Sequence, residues 1–92
     1  MAQVVVTLKI MPESVEVDLN KIKEQAKNKI IDFAGAGDMK IEEQPIAFGL
    51  KALNIIFIMD EAKGSTEPLE DSILDVEGVQ SVEVTDVRRA IG

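Results

Sequence analysis

Hydrophobic and polar positions alternate strictly at the start of the chain. In "QVVVTLKIM", Val4, Val6, Leu8 and Ile10 fall on one side and Val5, Thr7 and Lys9 on the other. A period of two predicts a strand with one buried face, ended by Pro12. The period then lengthens. Leu19, Ile22, Ala26, Ile30 and Phe33 recur at spacings of three and four, with Lys21, Lys23, Glu24, Lys27 and Asn28 opposite. This predicts an amphipathic helix over 19–33, N-capped by Asp18 and stopped by the glycines of "AGAGD".

Residues 39–45 return to alternation, Met39 and Ile41 inward and Lys40 and Glu42 outward, and Pro45 restricts this strand to an edge or ends it. "LKALNIIFIMD" is apolar on both sides: Leu53, Ile55, Phe57 and Met59 on one, Ile56 and Ile58 on the other. Bulk on both faces predicts a central strand. In "KGSTEP", Ser65 or Thr66 caps a second helix with Pro68 in its first turn and acids at 67, 70 and 71 at the positive end of its dipole. Leu69, Ile73 and Val76 form its apolar stripe, Gly78 closes it, and "VQSVEVTDV" follows as a strand with Val82 and Val84 inward.

The order β-α-β-β-α-β with right-handed crossovers predicts an α+β, ferredoxin-like two-layer sandwich, in which a four-stranded antiparallel sheet carries both helices on one face. The first and third strands, the richest in apolar residues, are expected at the centre, and the more charged second and fourth at the edges. A chain of 92 residues is expected to form one domain over 1–92.

One junction does not fit the usual pattern. Tight hairpins favour Asn-Gly or Asp-Gly because both central positions need positive φ. Between the second and third strands stands "PIAFGLKAL", which sets Phe48 where the tip of a loop belongs. Either Phe48 folds back over the sheet edge, or it is held out, with Lys51 beside it and Gly49 letting the backbone turn, as a contact for a partner.

Composition narrows the chemistry. The chain has no cysteine and no histidine, so it has no disulfide, no thiolate metal site and none of the usual nucleophile–base pairs. Glu42 and Glu43 are strand neighbours pointing to opposite faces, a poor acid–base pair. Asp60 and Glu61, at a strand end, offer at most a weak cation site. No phosphate-cradling glycine loop is present, and the exposed side of the first strand lacks the aromatics that stack RNA bases in sheets of this topology.

The formal charge is −7; residues 1–52 hold seven basic and eight acidic side chains, and residues 53–92 three and nine. Such a surface repels nucleic-acid phosphates and suits a basic protein partner, or serves solubility alone. No apolar run reaches membrane-spanning length and no secretory leader is visible, so a cytoplasmic protein is expected. Neither cofactor nor catalytic residues are expected, and protein–protein recognition is the leading class.

Three separated motifs carry a resemblance: "VVVTLKIMPES", "PIAFGLKAL" and the terminal "VTDVRRAIG". Together they resemble the guanine-nucleotide exchange domain of translation elongation factor 1-beta, in the compact archaeal form that consists of this domain alone. The resemblance implies an exchange factor that binds the GTPase elongation factor 1-alpha, releases its GDP and lets GTP load. It points to Phe48, Gly49, Lys51, Asp86, Arg88 and Arg89 as partner-binding residues. In eukaryotic members a lysine near the chain end is credited with disturbing the Mg²⁺ site of the GTPase. Matching at Thr85, Asp86 and Val87 sets that lysine level with Gly92, so this chain lacks it; Arg88 and Arg89 are the nearby cations able to substitute. The fold alone also accommodates a small-molecule-sensing module or a structural interaction module.

Overall fold

A computed structural model describes residues 2–35 and 37–90. The elements run β1 (Gln3–Pro12), α1 (Leu19–Ala34), β2 (Met39–Pro45), β3 (Lys51–Asp60), α2 (Glu67–Leu74) and β4 (Val79–Arg89). The sheet order is β2-β3-β1-β4, antiparallel throughout, with β1 and β3 at the centre.

The alternation of β1 and β3 explains the layering. Val6, Leu8 and Ile10 pair with Phe57, Ile55 and Leu53, and paired residues share a face, so the two strands turn one continuous apolar surface toward the helices. Ile22, Ala26 and Ile30 of α1 and Leu69 and Ile73 of α2 close over it in one buried cluster. The other sheet face carries Val5, Thr7, Lys9, Asn54, Ile56 and Ile58, all half-buried and covered by no helix.

Local capping follows the sequence closely. The Asp18 carboxylate accepts from the Asn20 N–H at 2.9 Å, and Gly35, at φ 90°, ends α1 one residue beyond the predicted stretch. At α2 Thr66 holds the N-cap position, but the bond to the backbone comes from Ser65, whose Oγ accepts from the Glu67 N–H at 3.1 Å, while Thr66 Oγ1 donates to the Glu70 carboxylate at 2.8 Å.

Three details differ from the sequence reading. Val76 is buried but lies past the end of α2, because the helix stops at Leu74 and the chain turns inward. Gly78, at φ 91°, therefore shapes the turn into β4 rather than the helix end. In β4 the register slips after Thr7/Leu8, where Thr85 is left without a partner opposite β1. Such a bulge moves every later residue to the opposite face. Val82 and Val84 face the helices with Ile10 and Leu8, whereas Asp86 and Arg88 pair with Thr7 and Val5 and lie on the open face.

Candidate functional site

The candidate residues fall into two groups, and the sheet register keeps them apart. Phe48, Gly49 and Lys51 stand at the β2–β3 turn, at the end of the sheet where Ile10 pairs with Leu53. Asp86, Arg88 and Arg89 lie where β4 meets Val4 to Thr7, the end at which Gln3 pairs with Asp60. Lys51 and Ile58, the residue level with Arg88, are seven positions apart in β3, which is about 24 Å along the strands, with about 10 Å across two strand spacings. The molecule extends 42 Å along its longest axis.

The first end is built around a tight turn. Phe48 has φ 62° and ψ 29°, and Gly49 has φ 79°. The Leu50 N–H donates to the Ala47 carbonyl at 3.3 Å and the Ile46 N–H to the Leu50 carbonyl at 2.7 Å. Two consecutive residues at positive φ are what Asn-Gly hairpins supply, so the turn follows the ordinary geometry with phenylalanine in the asparagine place. A left-handed backbone on a bulky residue costs on the order of 1–2 kcal/mol. No packing offsets that cost: Phe48 is 95% exposed. It does not fold back over the sheet edge. Lys51, opposite Pro45 in the register, reaches Glu43 at 3.8 Å, a loose exposed pair.

Another residue joins this end without having been singled out by the pattern. Val15, in the loop between β1 and α1, is 61% exposed. A Cβ placed on Gly49 would lie 3.6 Å from Val15 Cγ1, so the loop leans against the hairpin turn. An open cleft of about 400 Å³ runs between them, bordered by Asp18, Asn20, Glu43 and Lys51. In the sequence the only sign of Val15 is an apolar residue between Ser14 and Glu16 that belongs to neither the strand nor the helix pattern.

At the second end each cation already holds a carboxylate. Arg88 Nε lies 2.9 Å from Asp86 on the open sheet face. Arg89 Nη2 donates to both oxygens of Glu61 at 3.0 and 3.2 Å, tying the end of β4 to the turn after β3. Backbone bonds reinforce the tie: the Ala90 N–H donates to the Gln3 carbonyl at 2.8 Å and the Glu61 N–H to that of Ala2 at 3.0 Å. Asp60 accepts from the Ala62 N–H at 2.9 Å. The two acids considered for a cation are thus both engaged by protein donors, and no cluster of three or more His, Cys, Asp or Glu side chains suited to a metal occurs among the described residues. The position matched to the eukaryotic lysine, Gly92, lies outside the described residues. No helix among the described residues is long and apolar enough to cross a membrane.

A sheet displaying an unsupported aromatic at one end and ion-paired arginines at the other is suited to recognition rather than covalent chemistry. The family comparison gives the class: residues 5–90 match the EF-1 guanine nucleotide exchange domain, and the chain belongs to that family. Its activity is therefore guanine-nucleotide exchange in translation elongation, which decides against a sensing or purely structural module. Among its relatives, it is similar to Elongation factor 1-beta of Methanothermobacter thermautotrophicus, 48% identical over 89 residues, covering 97% of this chain and 98% of the relative. It is also similar to Elongation factor 1-beta of Methanobrevibacter smithii, at 51% over 89 residues with the same coverage, and of Staphylothermus marinus, at 46% over 90 residues, again with that coverage.

Proposed function

We propose that the chain, acting as one exchange domain over 1–92 in the cytoplasm, promotes GDP release from elongation factor 1-alpha by gripping its nucleotide-free form, with Phe48, Gly49 and Lys51 at one contact and Asp86, Arg88 and Arg89 at another. The observation that carries this reading is Phe48, displayed at 95% exposure on a left-handed backbone. Strain retained at an exposed position with no packing return is a mark of function.

The chemistry required is modest. Exchange makes and breaks no covalent bond. A factor that binds the vacant GTPase better than the loaded one by some ratio weakens nucleotide binding by the same ratio. Nucleotide affinity in GTPases rests on backbone donors around the phosphates and on Mg²⁺ held with the nucleotide. Two contacts about 24 Å apart along the sheet let one small rigid body bear on two surfaces of the partner at once. Within this contact Asp86 also holds Arg88, and Glu61, outside it, is the positioning residue for Arg89.

The test is release of a fluorescent GDP analogue from elongation factor 1-alpha. Acceleration at substoichiometric amounts of this protein, with tighter binding to the vacant than to the GDP-loaded GTPase, is the expected result. Equal affinity for the two forms overturns the reading.

A further inference from the structure

Phe48 is not the only apolar side chain displayed at its end of the molecule. Val15 is 61% exposed and lies within van der Waals reach of the position a Cβ would take on Gly49, the residue after Phe48, so the β1–α1 loop and the hairpin turn display Val15 and Phe48 at the same end of the molecule, in one interrupted apolar strip. The loop holds Val15 outward by its own hydrogen bonds. Ser14 Oγ accepts from the Glu16 N–H at 3.3 Å, and the Ser14 carbonyl accepts from the Val17 N–H at 3.3 Å. The base of the loop is pinned to the body, since the Glu13 N–H donates to the Gly78 carbonyl at 2.8 Å and Val17 packs against Gly78. A valine at the tip of an anchored turn contributes nothing to the core, where Val17 does.

The surroundings of the strip are mostly acidic. Asp18 and Glu43 line the cleft beside it, and Glu13 and Glu16 stand within two residues of Val15, all four exposed. Lys51 is the cation within the cleft, and its nearest carboxylate is Glu43 at 3.8 Å. An apolar strip in a mainly acidic setting complements an apolar socket rimmed by basic side chains.

We propose that Val15 is a second anchor of the partner surface, so that Val15 and Phe48 enter an apolar, basic-rimmed socket on the GTPase as a two-residue prong. This rests on the reading that the Phe48 end contacts the GTPase.

The experiment titrates the full chain against elongation factor 1-alpha loaded with fluorescent GDP, and reads the concentration giving half-maximal acceleration. Val15→Ser raises that concentration about fivefold or more, as expected for withdrawing an anchor of this size, while the melting temperature stays within about 2 °C because the residue is exposed. Val15→Ile restores most of the lost affinity. For wild type the half-maximal concentration rises between about 50 and 200 mM salt, and Glu13→Gln with Glu16→Gln flattens that rise. If Val15→Ser matches wild type while Phe48→Asn is impaired, Val15 is no anchor and the Phe48 contact stands. If neither variant moves the half-maximal concentration, the partner surface lies elsewhere. A salt-independent titration overturns the basic rim.

Discussion

Arg89 donates from one guanidinium nitrogen to both carboxylate oxygens of Glu61, at 3.0 and 3.2 Å, across 28 residues of sequence. The pair fixes the end of β4 to the loop that leaves the central strand β3. Both side chains are largely exposed, at 72% and 47% of their areas, so the contribution to stability is at most about 1 kcal/mol. The two residues differ in expected function. Arg89→Gln removes a proposed contact, whereas Glu61→Gln only releases its anchor. Chemical denaturation is expected to show both variants within about 1 kcal/mol of wild type. GDP release is expected to slow severalfold more with Arg89→Gln than with Glu61→Gln. Equal loss in the two variants would make the pair a clamp whose value lies in holding the tail.

Among the described glycines, Gly78 is the one least able to accept a side chain. A Cβ there would lie 2.7 Å from Val17 Cγ1, and the backbone stands at φ 91°. Overlap with a packed branch and a left-handed alanine each cost about 1–3 kcal/mol. Gly78→Ala is expected to lower the melting temperature by about 10 °C or more at this chain length. The double variant Val17→Ala, Gly78→Ala removes the overlap and leaves the φ cost, so it recovers part of that loss relative to Val17→Ala alone. Thermal scans of the four proteins form a coupling cycle. Strict additivity would show that the contact with Val17 is not what excludes a side chain.

These positions also show how far the sequence could be read. The alternation of β1 and β3 and the helical period of 19–33 were legible because each repeats its signal over four or more positions, and the paired faces of Val6, Leu8, Ile55 and Phe57 follow from it. The βαββαβ order was legible for the same reason. The face of Asp86 and Arg88 was not: simple alternation from Val82 and Val84 turns both inward, and only the slip at Thr85 turns them out. No glycine marks that bulge. Val76 was assigned to a helix because it extends the apolar spacing of Leu69 and Ile73, although the chain leaves the helix before it. Of the candidate site, Phe48 was legible as a misfit to turn chemistry, whereas its exposure, left open between folding back and projecting, was settled only by the structure. The engagement of Arg89 by Glu61 and the proximity of Val15 to Gly49 depend on tertiary folding and leave no local trace.

Lys51 offers a test of the first end that does not touch the turn. Its pair with Glu43 spans 3.8 Å with both side chains about half exposed, a geometry whose contribution is generally below about 1 kcal/mol. Lys51→Ala is therefore expected to leave the melting temperature nearly unchanged and to weaken partner binding severalfold. Glu43→Gln frees the ammonium but also removes one carboxylate of the rim, so it is expected to change binding less than Lys51→Ala does. Titration of GDP release against each variant checks this. If Lys51→Ala binds normally, the lysine is only a solvated strand end and leaves the partner surface.

The sharpest prediction concerns Phe48, because there stability and function are expected to move in opposite directions. A phenylalanine at φ 62° with 95% of its surface in water bears a backbone cost and gains no burial in return. Asparagine tolerates the left-handed region and is the natural occupant of this turn position. Phe48→Asn is thus expected to hold or raise folding stability, by up to about 1 kcal/mol. The same change withdraws an aromatic anchor, which at a binding surface typically costs about 2 kcal/mol or more, a rise of more than tenfold in half-maximal concentration. Phe48→Ala is expected to lose the same contact with the fold intact, but without the gain in stability, since alanine keeps part of the φ cost. Denaturant midpoints and GDP-release titrations on the three proteins decide the matter. A Phe48→Asn variant that unfolds more easily would mean the ring packs against the body after all, and one that exchanges GDP like wild type would remove Phe48 from the partner surface.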